Sequence, residues 1–157
     1  MGKKTGKNPT DRGKLGVKRS TLIDGRGVPL GVAVDGANVP DQRLVAATLD
    51  AIPVERPEPS PQQPQHLCLD KGYAGRPVDR EVRRRGYVPH VPRKSNEATK
   101  PQHRGGQPRR WKVERTHSWL NRARRLLVRW EKKVANYLAL LHLQFAIVTL
   151  RTARVLG

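Results

Sequence analysis

The stretch RRWKVERTHSWLNRARRLLVRWEKK, residues 109–133, decides the fold that the sequence predicts. Its apolar side chains recur every three or four residues, a spacing that brings them to one side of a helix. They are Leu120, Ala123, Leu127, Trp130 and, just beyond the stretch, Val134. We therefore predict one long helix that packs this stripe, Trp130 included, against the rest of the chain.

Glu114 lies on the opposite side of that predicted helix, among basic residues. A carboxylate near a helix N-terminus is ordinarily stabilised by the helix dipole and by neighbours three or four residues away. A functional role for Glu114 is the alternative explanation, because a second carboxylate, Asp70, lies upstream at the end of an apolar run.

The net charge of the chain restricts its possible functions more than its length does. The chain has 157 residues, enough for one domain, and a formal net charge of +19 with 29% charged residues. A compact chain of such charge repels itself, so a polyanion that releases counterions on binding is its natural partner. Nucleic acid is favoured over a membrane surface, but a ribosomal or histone-like protein would satisfy the charge equally well.

Cys68 is the only cysteine, which excludes a disulfide framework and a zinc site built from several thiolates. It lies in an apolar run and is predicted to be a small buried side chain. The most apolar segment, residues 137–150, is too short to span a bilayer and predicts a buried helix. With no apolar signal core at its start, the chain is expected to be cytoplasmic and nucleoid-associated, without a membrane partner.

The first half of the chain alternates turn signals with β-rich runs. Residues 1–16 are basic and lack a hydrophobic period, so we expect an extended, mobile arm. VKRSTLI and VPLGVAV flank Asp24-Gly25-Arg26-Gly27, which predicts a hairpin with Asp24 serving the turn. Residues 41–52 predict a short amphipathic helix with Asp41 in its first turn. Residues 53–65 are proline-rich and predict an exposed loop.

Asp70 ends the apolar run HLCLD, residues 66–70, and is followed by Lys71-Gly72-Tyr73. A strand that ends in a carboxylate and turns into a helix, here residues 76–85, is where open sheets place functional side chains. A carboxylate that caps the next helix or pairs with Lys71 would give the same pattern.

YVPHV, residues 87–91, predicts another strand, and Pro89 suggests that it lies at a sheet edge. Residues 92–108 predict a basic, flexible loop. The order of elements implies an α/β fold with a mixed sheet and helices on its faces. Such a sheet could bring Asp70 beside Glu114, where two carboxylates would need a cation between them. Magnesium or manganese is the natural choice for oxygen ligands.

Three stretches, residues 8–41, 69–93 and 109–143, closely resemble the catalytic domain of DDE-type bacterial insertion-sequence transposases, in the group named for insertion sequence five. The resemblance implies a ribonuclease-H-like fold and a DNA transposase that uses Mg²⁺ or Mn²⁺. It implies that Asp70, in DKGY, is the second catalytic acid and that Glu114, in VERTHSWLNR, is the third. Both would be metal ligands, and metal-dependent cleavage and strand transfer would be the reaction.

The resemblance also implies that Arg110 and Arg115, which flank Glu114, hold DNA phosphate. The expected partners are double-stranded DNA, as insertion-sequence ends and target, and a second copy of the chain in a homodimer. Further basic residues are expected on the DNA, namely Lys71, Arg93, Lys94, Arg104, Arg109, Arg122 and Arg125. We expect residues 83–85, all arginine, to face phosphate too, and His117 to be a hydrogen-bonded surface residue rather than a ligand.

One departure from the family pattern is important. The family's first catalytic aspartate lies on a strand before NPTDRG, and Asp11, Asp24 and Asp35 do not match that position. We therefore expect residues 17–157 to form a partial domain without its first strand and first metal ligand, and with little cleavage activity alone. A truncated relic, a misannotated start and the second frame of a frameshifted element all remain open. The alternative function is a non-catalytic, basic nucleic-acid-binding protein.

Overall fold

A computed structural model describes residues 4–92 and 110–155, with side chains in the last part described from residue 112. Its strands are β1 (Gly6–Lys7), β2 (Leu15–Ile23), β3 (Pro29–Gly36), β4 (Gln65–Cys68) and β5 (Tyr87–His90). Its α-helices are α1 (Val45–Asp50), α2 (Arg76–Arg84), α3 (Arg110–Asn121), α4 (Arg124–Leu127) and α5 (Val134–Thr152). Short 3-10 helices cover Asp41–Leu44 and Lys71–Tyr73. The predicted basic loop, apart from Pro92, lies outside the described residues.

The predicted hairpin is confirmed in β2 and β3, which pair antiparallel from Val17 opposite Gly36 onward. Asp24 makes the turn: its Oδ1 accepts hydrogen bonds from the backbone N–H of Arg26 and of Val28, each 2.8 Å long. Gly27 has a φ of +90°, a conformation that costs a residue with a Cβ atom. These hydrogen bonds in the turn therefore explain the presence of Asp24 at this position.

The β2–β3 hairpin is covered on both faces. On one face α1 packs against it, and Thr48 Oγ1 lies 2.8 Å from Ser20 Oγ in a buried hydrogen bond. On the other face lie α3 and α5. They form what we call the hairpin cluster, a core of Val32, Val34, Leu120, Leu126, Tyr137, Leu141 and Phe145.

The other two strands form a separate small sheet. β4 and β5 pair in parallel, with His66 opposite Val88 and Cys68 opposite His90. Their inner face meets α1 and α2 in what we call the parallel-strand cluster, which consists of Val45, Leu49, Leu67, Val78 and Val82. The α/β class is thus confirmed. Within the described residues, however, the predicted single mixed sheet is two sheets, one of three strands and one of two.

The prediction of a mobile arm is wrong for its last residues. β1 pairs antiparallel with the start of β2, with Gly6 opposite Gly16 and Lys7 opposite Leu15. A turn closes this hairpin, with the Asn8 N–H donating to Lys14 O over 2.8 Å. Backbone hydrogen bonding holds these residues, and it needs no apolar side-chain period.

The prediction of one long helix over residues 109–133 is also wrong. α3 ends at Asn121, and Ala123 has an extended backbone, with φ −78° and ψ 103°, before the single turn of α4. The chain then reverses so that α3 and α5 pack on the same cluster. Leu126 is buried, whereas Leu127 is 62% exposed and Trp130 is 75% exposed. A straight helix would have carried residues after 123 off the hairpin.

α5 has a buried stripe of Tyr137, Leu141, Phe145 and Val148, of which the first three belong to the hairpin cluster, and this confirms the predicted burial for that side. Its other side is open, with Leu143 60% exposed. The prediction that this segment is too short to span a bilayer is wrong for the helix that forms, because α5 is 19 residues long and could cross a bilayer by length and composition alone. Core helices of soluble proteins pass the same test.

Two smaller predictions have opposite outcomes. The proline-rich segment has no helix or strand from residue 53 to residue 64, as predicted. Cys68 is exposed, contrary to its predicted burial. Side chains alternate along β4, so the inward position of Leu67 puts Cys68 outside.

Candidate functional site

Asp70 lies just beyond the C-terminal end of β4 and is exposed. Its Oδ1 accepts a hydrogen bond of 2.7 Å from the Gly72 backbone N–H, and the residue is the N-cap of the helix Lys71–Tyr73. Asp70 thus acts as a cap, but of this short 3-10 helix and not of the predicted helix at residues 76–85, whose N-cap is Gly75. Capping uses one of the two carboxylate oxygens. Capping also fixes where the carboxylate points, so it is compatible with a functional role.

A second carboxylate, Asp41, stands near Asp70. A Cβ atom added to Gly72 would lie 2.9 Å from Asp70 Oδ1 and 3.7 Å from Asp41 Oδ2. Asp41 Oδ1 also pairs with Lys18 Nζ at 3.0 Å. The sequence argument assigned Asp41 only to a helix start. Its position a few residues after the end of β3, much as Asp70 follows β4, was the available signal.

Tyr73 lies beside these two carboxylates. Burial raises the pKa of its phenol, the charges of Asp41 and Asp70 raise it further, and a hydrogen bond with Ser20 lowers it. Tyr73 therefore keeps its proton at neutral pH and joins the loop after β4 to β2.

Glu114 is exposed on α3, whose first half docks on the turn between β2 and β3. Buried Thr116 donates from Oγ1 to Gly27 O over 2.8 Å, and Arg115 donates from Nη2 to Arg26 O over 2.7 Å. Lys112 Nζ donates to Gly25 O. These three bonds, made by residues on either side of Glu114, fix its backbone against the hairpin turn.

The contacts of the two predicted catalytic acids lie at different ends of β2. Asp70 is near Asp41, which pairs with Lys18 toward the start of that strand, whereas Glu114 is held through the turn after its last residue. β2 is 9 residues long, roughly 26 Å at about 3.3 Å per residue. Lys18 and Ser20 face α1, and Arg19 faces α3, where it donates to Asn121 Oδ1 over 2.8 Å.

The carboxylates of Asp41 and Asp70 have the chemistry that Mg²⁺ or Mn²⁺ requires. Both offer hard oxygen ligands around the space beside Gly72. Magnesium commonly uses only one or two carboxylates and keeps several waters. Across residues 4–92 and 110–155, no three His, Cys, Asp or Glu side chains stand close enough together to hold an ion. The donor types fit the metal, and the set is incomplete.

The predicted DNA-binding residues divide into three groups. Lys71, Arg122 and Arg125 are exposed, although Arg125 Nε lies 3.3 Å from Glu131 Oε1. Arg115 is half-buried, with its guanidinium 4.8 Å from the Trp119 ring centre. The last group lies outside the described side chains and consists of Arg93, Lys94, Arg104, Arg109 and Arg110.

The three consecutive arginines of α2 form ion pairs within the protein. Arg83 Nε lies 2.8 Å from Asp79 Oδ2, and Arg84 Nη2 lies 2.9 Å from Glu81 Oε1. Arg85 pairs with Asp50 at the end of α1 and with Glu81. Hydrogen bonds from Arg84 and Arg85 lower the pKa of Glu81 to about 2. The predicted phosphate-facing role is therefore wrong for Arg85, which joins α1 to α2.

His117 lies on α3 one turn after Glu114. Burial lowers the pKa of its imidazole, and the positive charge of Arg19 lowers it further. A neutral imidazole follows at pH 7.

Comparison with known protein families identifies the family of this chain. The family described as Transposase DDE domain matches residues 1–149, which include both Asp70 and Glu114. The chain belongs to the DDE transposase family. A Burkholderia cepacia protein named as a transposase for insertion sequence element IS402 is 37% identical to this transposase chain over 155 residues, covering 96% of it and 71% of the relative. No solved structure gives a significant match.

Proposed function

We propose that this transposase chain takes part in metal-dependent cleavage and strand transfer at insertion-sequence ends, with Asp70 and Glu114 as the acids that hold the metal. In the structure the two acids lie toward different ends of β2, so the proposal includes a movement of α3 from the hairpin turn toward the end of β4 when DNA binds. The observation that carries the proposal is Asp70 itself: an exposed carboxylate at the end of a strand, beside a second carboxylate, in a chain with net charge +19. Acids gathered on such a basic body suit a reaction at phosphate.

Each residue of the proposed site would have its own role. When bound, Mg²⁺ or Mn²⁺ would supply positive charge at the scissile phosphate and would favour deprotonation of the attacking water or 3′-hydroxyl. Asp70, oriented by the Gly72 N–H, presents a carboxylate of fixed direction. Glu114 would join the ligand set from α3 after that movement of the helix. Lys71, Arg122 and Arg125 would bind DNA phosphates, and they would set the position of the duplex rather than read its sequence.

A ribonuclease-H-like sheet is part of the same proposal. It needs one further strand between β2 and β4, and the family resemblance assigns the first catalytic aspartate to that strand. In support, Tyr73 after β4 reaches Ser20 of β2, and no described strand pairs with residues 17–23 on the edge away from β3. Hydrogen exchange tests this: β2 amides that point away from β3 should exchange fast in this chain alone, and uniform protection along β2 would contradict the gap.

The second candidate is a non-catalytic nucleic-acid-binding protein. One observation favours it: Glu114 is held at the hairpin turn, while Asp70 lies near Asp41, which pairs with Lys18 toward the other end of β2. Both candidates predict binding that weakens steeply with salt, so divalent metal must separate them.

The test is a Mn²⁺ titration followed by electron paramagnetic resonance, combined with a Mg²⁺-dependent nicking assay on an end-containing duplex. Asp70→Asn and Glu114→Gln should each weaken Mn²⁺ binding about tenfold or more. Asp11→Asn, which changes an exposed acid in the first turn, is the matched control and should have no effect. The non-catalytic candidate predicts Mn²⁺ uptake that depends on neither acid, and nicking that survives both changes would exclude our assignment.

A further inference from the structure

The outer face of the β4–β5 sheet carries a cluster of nitrogen and sulfur ligands. His66 Nδ1 lies 2.7 Å from His90 Nε2, and the ring centres are 4.9 Å apart. Cys68 is the residue directly opposite His90 in the parallel register. His66 and Cys68 are two residues apart on one strand, so their side chains leave the same face. Both are exposed.

We propose that His66 and His90, with Cys68 as third ligand, form a binding site for a borderline or soft divalent transition metal such as Zn²⁺ or Co²⁺. Imidazole nitrogen and thiolate are the donors that such ions select, whereas Mg²⁺ prefers oxygen. The site is therefore chemically distinct from the carboxylate site at Asp70.

The geometry needs only a small change to accept the ion. Two nitrogens bound to a tetrahedral Zn²⁺ at about 2.0–2.1 Å stand roughly 3.3 Å apart. The observed nitrogen separation is 2.7 Å, the length of a hydrogen bond. Opening this pair by well under an ångström replaces the shared proton with a metal ion, and each ring carries its own proton on the other nitrogen.

Cys68 supplies the third ligand by rotation of its side chain. No three potential ligands converge yet anywhere in the described parts of the chain. An exposed cysteine on a strand is free to change its χ1 rotamer at little cost. Metal binding would deprotonate the thiol and release that proton to solvent, and a water would complete a four-coordinate site.

The location gives the site a consequence for the transposase. The metal would tie β4 to β5 just before Asp70, and the Leu69 N–H already donates to His90 O over 2.9 Å there. A bound ion would hold together the short sheet that positions Asp70. It would raise the stability of this half of the molecule, with the logarithm of the free metal concentration once that concentration exceeds the dissociation constant.

Titration with Co²⁺ tests the site because a cobalt thiolate has a charge-transfer band in the near ultraviolet. We expect one Co²⁺ per chain with that band, displaced by Zn²⁺. His66→Ala and His90→Gln should each weaken binding at least about tenfold. Cys68→Ser should abolish the band. His142→Ala, at an exposed histidine of α5, is the matched control and should bind as the wild type does.

The outcome is separable from the proposed function. Asp70→Asn should leave the Co²⁺ band intact, and Cys68→Ser should leave Mn²⁺ binding at Asp70 intact. A cobalt complex without the near-ultraviolet band would overturn the role of Cys68. Affinity that is unchanged in either His66→Ala or His90→Gln would overturn the site.

Discussion

The helix that carries Glu114 and the strand that precedes Asp70 are held by two different hydrophobic clusters. α3 contributes Leu120 to the hairpin cluster, whereas β4 contributes Leu67 to the parallel-strand cluster. β2 joins the two, because Val17 packs on the first and Leu22 on the second. Each acid is thus fixed within its own half, and the geometry of a shared site depends on the junction at β2.

The largest effect should come from the hairpin cluster. Leu120 is fully buried, with 0% exposure. Replacing it with alanine should cost about 2–5 kcal/mol of unfolding free energy, through lost burial and the cavity that remains. Urea denaturation measures the loss. Leu127→Ala, at a side chain that is 62% exposed, is the control and should be nearly neutral; a similar loss in both variants would contradict the division between buried and exposed leucines.

The next effect tests how the hairpin turn fixes α3. Gly27→Ala should cost about 1–2 kcal/mol because alanine resists a positive φ. The added Cβ would also lie 2.9 Å from Arg115 Nη2. Gly25→Ala adds a Cβ with no atom within 4 Å and should change stability little. Thermal unfolding of the pair provides the comparison, and equal losses would show that the turn does not anchor the helix.

A smaller effect is expected at the junction. Lys18 neutralises Asp41 at 3.0 Å, so Lys18→Met should raise Mn²⁺ affinity about three- to fivefold, the range of a partly exposed ion pair. Titration against the Lys14→Met control, which removes an exposed pair with Asp11, measures the difference. Unchanged or weaker Mn²⁺ binding in Lys18→Met would remove Asp41 from the site.

The smallest effect concerns pH and the pairs that join α1 to α2. Hydrogen bonds from Arg84 and Arg85 lower the Glu81 pKa from 4.5 to about 2. The stability from this lowered pKa is present above pH about 4.5 and is lost as pH falls toward about 2. Glu81→Gln should flatten the stability profile in that window. Glu58→Gln, in the proline-rich loop, should retain the wild-type slope, and identical slopes in all three proteins would refute the pairing.

Local patterns predicted the local structure well. Asp24-Gly25-Arg26-Gly27 predicted its hairpin because positive φ and side-chain capping are decided within a few residues. The run from His66 to Asp70 predicted its strand for the same reason, and it left a capping role for Asp70 as one of two interpretations.

Features that depend on distant partners were missed. Helical spacing cannot predict which of Leu126 and Leu127 is buried, because their burial depends on where the chain reverses after Ala123. Asp41 approaches Asp70 only through folding. Asp79 and Glu81, which pair with the three arginines of residues 83–85, were nearby in sequence, but Asp50, the second partner of Arg85, is 35 residues away and approaches only through folding.

The most direct test of the central proposal is paramagnetic relaxation by Mn²⁺ in the chain bound to an end-containing duplex. One equivalent of Mn²⁺ should broaden the backbone amide signals of Asp70 and Glu114 alike, because the proposal requires α3 to bring Glu114 within a few ångströms of the ion that Asp70 binds. Broadening at Asp70 with a sharp signal at Glu114 would contradict a site that the two acids share.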